Sequence, residues 1–387
     1  MKIEEIVGYL KNYNGNNIKI MEVCGTHTAA IFKNGIRSLL SPNIELISGP
    51  GCPVCVTPAA FIDRCIEYAM RPENVVLSFG DMLKAPGAEK SLAGIKGEGG
   101  NVEMIYSPLE AVSRAAANPD LSFVLAAVGF ETTLPVHALV IENALERRLE
   151  NLKIVTALRA VEPVLDWVAR NEDGIDGYIC PGHVAVITGA APFVRLSAEH
   201  AKPFVIAGFD GEQLLAAIYA IVRMTENLRA GHDSHSIFTT MAGNVCPESA
   251  AAGEGCPESA AAGNVCPESA PMFRNIYTSA VRESGNLKAQ GLIEKYFELG
   301  AAYWRGLGEL PDSGYYIKAE YLGLDGGGRE LDGDITLPHG CRCSDVIMGR
   351  ISPGECRMFG NECRPDSPFG PCMVSSEGAC GVWYQNR

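Results

Sequence analysis

Residues 18–58 read IKIMEVCGTHTAAIFKNGIRSLLSPNIELISGPGCPVCVTP and contain two short apolar runs, each followed by a cysteine motif and a helical pattern. The runs are Ile18 to Val23 and Ile44 to Ile47. Strands that alternate with helical segments are typical of a parallel sheet covered by helices. Functional groups in such sheets collect in the loops beyond the carboxyl ends of the strands. The stretch therefore predicts a parallel sheet with a cysteine motif at the end of two of its strands.

The same alternation continues to about residue 229 and predicts two similar doubly wound parallel-sheet domains of the α/β class. A capping box at Ser107 to Glu110, with Pro108 at the first helical position, predicts a helix start. The apolar runs that predict further strands are Val75 to Phe79, Leu121 to Val128, Ile154 to Ala157, Tyr178 to Cys180 and Phe204 to Ala207, and the apolar spacing predicts helices over Glu212 to Leu228, Met272 to Val281 and Leu287 to Leu299. The predicted divisions are a first α/β domain at 1–118, a second at 119–235, a low-complexity insertion at 236–271, and a helical segment with a cysteine-rich C-terminal region at 272–387.

Composition narrows the class of protein. The chain has 387 residues and a formal charge of -14, which argues against a basic face for nucleic acid. Glu4 and Glu5 stand where a signal peptide needs positive charge, and no apolar run approaches a membrane span. We therefore expect a cytoplasmic protein with no membrane partner. In that reducing compartment its 14 cysteines are expected to bind metal or do redox chemistry.

Three near-copies of one ten-residue unit, GNVCPESAAA, occupy residues 243–270. The period is too short for the usual helical repeats, so we interpret the array as a surface insertion. Each copy has one cysteine, at 246, 256 and 266, without a companion ligand nearby. Duplication explains the number of these cysteines, and no function is assigned to them.

Cys52 and Cys55 form a C-x2-C pair in a loop that prolines and a glycine stiffen. One interpretation is a thioredoxin-like dithiol without metal. The other is a site for iron, because Cys24 follows the preceding strand and can supply a third soft thiolate. His27 is expected to assist proton transfer or ligation, or else to form a structural hydrogen bond.

Other polar residues are expected at strand ends, and two further cysteines are expected in the core. Asp81, Glu131 and His183 follow predicted strands and are candidates for acid–base or hydrogen-bonding roles. Cys65 lies in an amphipathic helical pattern and is expected to be buried as a small apolar residue. For Cys180, which precedes Pro181, Gly182 and His183, the pattern indicates burial less clearly.

The C-terminal tail holds six cysteines among prolines and glycines, at 341, 343, 356, 363, 372 and 380. A segment of this composition needs a cross-link, and four cysteine thiolates are the usual ligands of an iron-sulfur cluster. Zinc bound by four cysteines is the structural alternative. Both the cluster and the zinc site use four of the six cysteines and leave two over. With a cluster, the tail is a smaller cysteine-rich iron-sulfur region beside the two sheet domains.

Taken in order, six motifs give the chain a close resemblance to the HypD family of hydrogenase maturation proteins. They are CGTHT at 24–28, GPGCPVC at 49–55, SFGDM at 78–82, GFETT at 129–133, PGHV at 181–184 and GPCMVSSEGAC at 370–380, and the similarity extends to WRGLG at 304–308 and SGYY at 313–316. The resemblance implies a scaffold that works with a small HypC partner. On it the iron group with two cyanides and one carbon monoxide, Fe(CN)2CO, is built for nickel-iron hydrogenases, and HypE supplies the cyanide.

The resemblance also implies roles for individual cysteines. Cys341, Cys356, Cys363 and Cys380 match the family's 4Fe-4S ligands. Cys343 and Cys372 match a dithiol or disulfide that is thought to pass electrons from the cluster toward the C-P-V-C pair. Cys24, Cys52 and Cys55 match positions implicated in holding the iron group, and His27 matches the histidine of the first motif. The repeat at 243–270 is a departure from the family, but it interrupts none of these motifs.

Two alternatives from other functional classes stay open at this point. One is a stand-alone iron-sulfur thiol-disulfide oxidoreductase, which predicts disulfide turnover without a HypC-type protein. The other is a zinc-stabilised interaction protein, which predicts a colourless preparation. The favoured interpretation is a metallocofactor assembly scaffold with redox activity.

Overall fold

The computed structural model describes residues 2–231, 272–329, 331 and 337–387. The strands in these residues are β1 (Ile18–Glu22), β2 (Ile44–Ser48), β3 (Asn74–Ser78), β4 (Val102–Met104), β5 (Ser122–Gly129), β6 (Leu152–Arg159), β7 (Gly177–Pro181), β8 (Phe204–Ala207), β9 (Phe273–Asn275), β10 (Phe297–Trp304) and β11 (Gly308–Ile317). The α-helices are α1 (Ile3–Lys11), α2 (Gly25–Lys33), α3 (Pro53–Val56), α4 (Ala59–Ala69), α5 (Gly80–Lys84), α6 (Leu92–Lys96), α7 (Glu110–Ala117), α8 (Leu134–Glu146), α9 (Val161–Asn171), α10 (Gly182–Thr188), α11 (Ala191–His200), α12 (Gly211–Arg229), α13 (Leu287–Tyr296), α14 (Cys343–Ile347), α15 (Pro371–Val374) and α16 (Ala379–Gln385). Short 3-10 turns occupy Ile36–Leu39, Ala319–Leu324 and Pro353–Glu355.

Two sheets organise these elements. The first has the strand order β2-β1-β7-β8-β9, and all of its pairs are parallel. The second has the order β10-β11-β6-β5-β3-β4 and is parallel from β6 to β4. An antiparallel hairpin, β10–β11, adds to its β6 edge. Two parallel-dominated sheets covered by helices confirm the predicted fold class.

Each sheet draws strands from both sides of residue 119, where the sequence had suggested a division between domains. The chain builds two strands of the first sheet, crosses to the second for β3 to β6, and returns for β7 to β9. It then adds the hairpin to the second sheet. A simple division at 118/119 is therefore wrong for the sheets, since it separates β4 from β5 within one of them. The reason is that helical crossovers within and between sheets look alike in sequence.

The strands near the middle of each sheet are buried along nearly their whole length because helices cover both faces. In β3, every residue is buried, and in β5 only Ser122 is partly exposed. Fully burying one valine or leucine side chain contributes about 1.5–3 kcal/mol. This rigid interior fixes the positions of the loops that follow the strands.

Three local predictions differ from the structure or lie outside it. The helix expected over Met272 to Val281 is wrong, because Phe273 pairs with Phe204 and makes this segment the edge strand β9. The helix expected to reach Leu299 ends at Tyr296, where β10 begins. The insertion at 236–271, with its repeats, lies outside the described residues.

Among the residues described, no helix combines the length and the hydropathy needed to span a bilayer.

Candidate thiol and metal centre

The first two cysteine loops touch each other. Strands β1 and β2 are parallel neighbours, so their carboxyl ends lie at the same sheet edge. Cys24 is the N-cap of α2 and Cys52 is the N-cap of α3. A Cβ atom at Gly51 would lie 2.5 Å from the backbone nitrogen of Cys24, and the Gly25 N–H donates to the Gly51 carbonyl at 3.5 Å. The loops therefore approach this closely because residue 51 has no side chain.

The thiols of this centre are buried to different degrees. Cys24 is partly exposed, whereas Cys52 is 4% and Cys55 1% exposed. Burial raises the pKa of the Cys24 thiol to about 11, against the opposing effect of the His27 N–H at the start of α2. Burial, and then the neighbouring Cys52 thiol, raise the pKa of Cys55 well above its ordinary value. These two thiols are therefore protonated at neutral pH, and a thiophilic metal would bind by displacing their protons.

Two histidines flank one phenylalanine beside Cys24. His27 is fully buried, with its Nε2 at 3.3 Å from the carbonyl oxygen of Ala207. Burial lowers the pKa of His27 to about 4, so the ring is neutral at neutral pH. Its ring centroid lies 4.8 Å from that of Phe209, and the exposed His183 stacks on Phe209 at 3.8 Å. No described group bonds to Nδ1 of His27, which leaves that atom available to a ligand.

The C-terminal tail closes over these loops. Thr26 Oγ1 donates to Glu377 Oε1 at 2.9 Å, and a Cβ at Gly25 would collide with the Glu377 carbonyl. The Cys55 thiol donates to the Pro371 carbonyl at 3.9 Å. The GPCMVSSEGAC segment, more than 300 residues away in sequence, is thus part of the same centre.

The four tail cysteines predicted as cluster ligands line one small cavity of about 20 Å³. Burial, and then the three other thiols, raise the pKa of Cys380. Burial also raises the pKa of Cys341 to about 11. A Cβ at Gly370 would lie 2.4 Å from the Cys341 sulfur, so the cavity depends on that glycine. Apolar side chains line the rest of the wall, including Met358, Phe359, Phe369 and Met373.

The spacing of the donors distinguishes a cluster from a single ion. In a tetrahedral zinc site, a Zn–S distance of about 2.3 Å brings the sulfurs to about 3.8 Å from one another. Across the described ranges, the one group of three or more ligating atoms within 4.8 Å of one another is Asp166, Glu199 and His200. That group holds no cysteine, and its carboxylates pair with Arg170 and Arg195. Four thiolates more widely spaced around an apolar cavity fit an iron-sulfur cluster better than one zinc ion.

The two remaining tail cysteines form a disulfide. Cys343 and Cys372 join α14 to α15 with their Cα atoms 6.2 Å apart, and both line the four-cysteine cavity. Cys372 directly follows Pro371, which contacts Cys55. A covalent sulfur pair therefore lies between the cavity and the C-P-V-C helix. Cys65 is fully buried as expected, and Cys180 is fully buried too.

The two acidic candidates follow strands β3 and β5 of the second sheet. Helix α15 packs against both α3 and α5, and Asp81 lies in the first turn of α5. Glu131 is 2% exposed and accepts the Val161 N–H at 2.8 Å; burial raises its pKa to about 7. It serves as a structural acceptor for the start of α9 in this arrangement.

Three residues of the centre escaped the sequence analysis. Glu377 and Phe209 gave no signal, because their contacts join segments distant in the chain. Glu22 did carry one, as a lone acid at the end of an apolar strand, and its carboxylate is buried against the Cys24 loop.

The chain is similar to known proteins of one family over nearly its whole length. The HypD profile, described as "Hydrogenase formation hypA family", matches residues 2–249 and 264–387. The "Hydrogenase maturation factor HypD" of Azotobacter vinelandii is 38% identical over 376 residues, which cover 95% of this chain and 88% of that protein. The protein of the same name from Escherichia coli K12 is 35% identical over 374 residues, covering 96% and 89%. The chain belongs to the HypD family of hydrogenase maturation factors.

Proposed function

We propose that this chain is a scaffold on which the Fe(CN)2CO group of nickel-iron hydrogenases is assembled, together with a small HypC-type partner and a HypE-type cyanide donor. The observation that carries the proposal is the convergence of the Cys24 loop, the C-P-V-C helix and the cysteine-rich tail. The cytoplasmic location expected from the sequence belongs to the same proposal.

Iron is the cargo of this site, and the thiols suit it. Thiolates are soft ligands that select iron over hard cations. The thiolate of Cys24 and one member of the Cys52 and Cys55 pair would hold the iron, since the two loops meet at Gly51. Neutral His27, whose buried Nδ1 has no hydrogen-bond partner among the described residues, would assist ligation or proton transfer.

Cys341, Cys356, Cys363 and Cys380 would hold a 4Fe-4S cluster in the tail cavity. When bound, such a cluster supplies single electrons at low potential. The chain places the Cys343–Cys372 disulfide at the cavity wall and Cys55 against the residue preceding Cys372. This order of sulfur groups supports the proposed electron relay toward the C-P-V-C pair.

The test replaces Cys24 with alanine in protein co-produced with its partners under anaerobic conditions. We expect the infrared bands of cyanide and carbon monoxide to vanish, while the visible spectrum of the cluster and about four irons per chain remain. Cys65→Ala is the matched control, since it also removes a buried thiol and should keep all bands. Bands that persist in Cys24→Ala would refute the role of Cys24.

The stand-alone thiol-disulfide oxidoreductase is the second candidate, favoured by the disulfide beside the C-P-V-C helix. It predicts catalytic reduction of a small disulfide by the isolated protein without a HypC-type partner. Turnover that survives Cys24→Ala but is lost in Cys55→Ala would support it over the scaffold.

A further inference from the structure

A single buried carboxylate connects the two cysteine loops. Glu22 ends β1 and is 1% exposed. Its Oε1 accepts hydrogen bonds from Thr28 Oγ1 in α2 at 2.5 Å and from Ser48 Oγ, the last residue of β2, at 2.7 Å. The backbone N–H of Cys24 opposes the rise in the pKa of the same carboxyl group. One side chain thus links the helix behind Cys24 to the strand that leads to Cys52.

Few backbone bonds hold the loops together at this point. The Gly49 N–H donates to the Glu22 carbonyl at 2.8 Å, which extends the ladder between β1 and β2 by one bond. Beyond it, the Gly25–Gly51 bond is long at 3.5 Å. The carboxylate bridge therefore lies at the end of the regular pairing, where the two loops begin.

Stability alone does not account for a carboxyl group here. Burying an acid costs free energy unless its oxygens are satisfied, and Oε2 of Glu22 lacks a hydrogen-bond partner among the described residues. Burial raises the pKa of Glu22 to about 7, which reflects this cost. The Arg37 guanidinium attracts the carboxylate, but it donates its own bond to the Leu46 carbonyl at 2.9 Å. An apolar residue would pack at this strand position at lower cost.

We infer that Glu22 is a positioning residue that sets the separation between Cys24 and the C-P-V-C pair by bridging Thr28 and Ser48. The inference rests on the proposed role of these thiols in holding iron. Glu22 acts through the loops and does not contact the cargo.

Three substitutions test the bridge. Glu22→Met has a similar volume but no acceptor oxygen, so it removes both hydrogen bonds. Ser48→Ala and Thr28→Val each remove one link. Ser41→Ala is the matched control for Ser48→Ala, because Ser41 is also buried, donates to the Tyr13 carbonyl, and lies before the opposite end of β2.

The measurement uses Cd(II) as a thiophilic probe with the full chain, reduced and anaerobic. Thiolate-to-cadmium absorption in the ultraviolet reports binding, and the part lost in Cys24→Ala defines the Cys24-dependent site. We expect affinity at that site to fall roughly ten-fold in Glu22→Met, which loses two hydrogen bonds, and roughly three- to ten-fold in Ser48→Ala or Thr28→Val, which each lose one. Ser41→Ala should leave it within about two-fold.

The outcomes separate the inference from the proposed function. Equal affinities in Glu22→Met, Ser48→Ala and Ser41→Ala would overturn the bridge and leave the thiol site standing. Absence of any Cys24-dependent cadmium site in the unsubstituted protein would overturn the proposed function and the inference with it. If circular dichroism shows that Glu22→Met does not fold, the two single-hydroxyl variants decide the question.

Discussion

Gly51→Ala should damage the iron site without removing a thiol. The added Cβ would lie 2.5 Å from Val23 C and Cys24 N and 2.6 Å from Cys24 Cα. All three are backbone atoms, so no side chain can swing away. Ordinary contact begins at 3.4 Å, so the loops must separate by about 0.9 Å, the difference between 3.4 and 2.5 Å. Overpacking of this size costs about 1–3 kcal/mol of folding free energy.

The functional effect should exceed the loss of stability. A misplacement of about 1 Å can cost about 100-fold in a reaction that depends on geometry. We therefore expect Gly51→Ala to lower the yield of cyanide and carbonyl infrared bands by about 100-fold at equal protein and equal cluster absorbance. The assay combines infrared spectroscopy, visible absorption and thermal unfolding.

Gly291→Ala is the control for adding a methyl group. Gly291 lies inside α13, and a Cβ there meets no atom within 4 Å. This variant should be slightly more stable, by about 0.5–1 kcal/mol, with unchanged infrared bands. The reasoning fails if Gly51→Ala keeps full band intensity, because the close approach of the two loops would then be unimportant.

Three further predictions concern the tail and pH. Gly370→Ala should cut iron content well below the unsubstituted protein, since its Cβ would press on the Cys341 sulfur at 2.4 Å; unchanged iron by metal analysis would contradict the cavity. Cys343→Ala should leave cluster absorbance in place but free the Cys372 thiol, so that alkylation with mass spectrometry finds one new label at Cys372; equal labelling of Cys372 in the unsubstituted protein would show that the disulfide is absent. Burial lowers the pKa of His137 to about 4, so the folded state binds fewer protons than the unfolded chain and stability falls as pH drops from about 6.5 toward 4. When the pH is lowered from 7 to 5, the free energy of unfolding measured with denaturant should fall by about 2 kcal/mol more in the unsubstituted protein than in His137→Gln. Equal falls in the two proteins would rule out a buried neutral His137 ring.

Much of the fold follows from local pattern. The runs ending near Val23, Ile47 and Val128 are strands, because short, mostly apolar runs followed closely by glycine are typical of strands buried between helices. The edge strand at Phe273 was misjudged as helix, since a three-residue strand leaves no period to detect. The hairpin β10–β11 was missed for a similar reason, as its residues alternate only weakly in burial.

The candidate site divides in the same way. Cysteine spacing and loop position predicted the thiols at 24, 52 and 55, and the family resemblance selected the four tail cysteines as expected ligands, because ligand chemistry depends on residue type and motif. Contacts such as Thr26 with Glu377 and Cys55 with Pro371 join segments more than 300 residues apart, and nothing local marks them.

The sequence by itself determined the α/β class, the family and which residue types carry the chemistry, since these depend on periodicity and motif. The tertiary structure decided which strands share a sheet, that the tail closes over the Cys24 loop, and that Glu22 links the two cysteine loops. The physical reason is that these contacts depend on how the rigid, helix-covered sheets place their loops in space. The free energy of closing a loop changes little with its length, so chain separation does not indicate which distant segments meet.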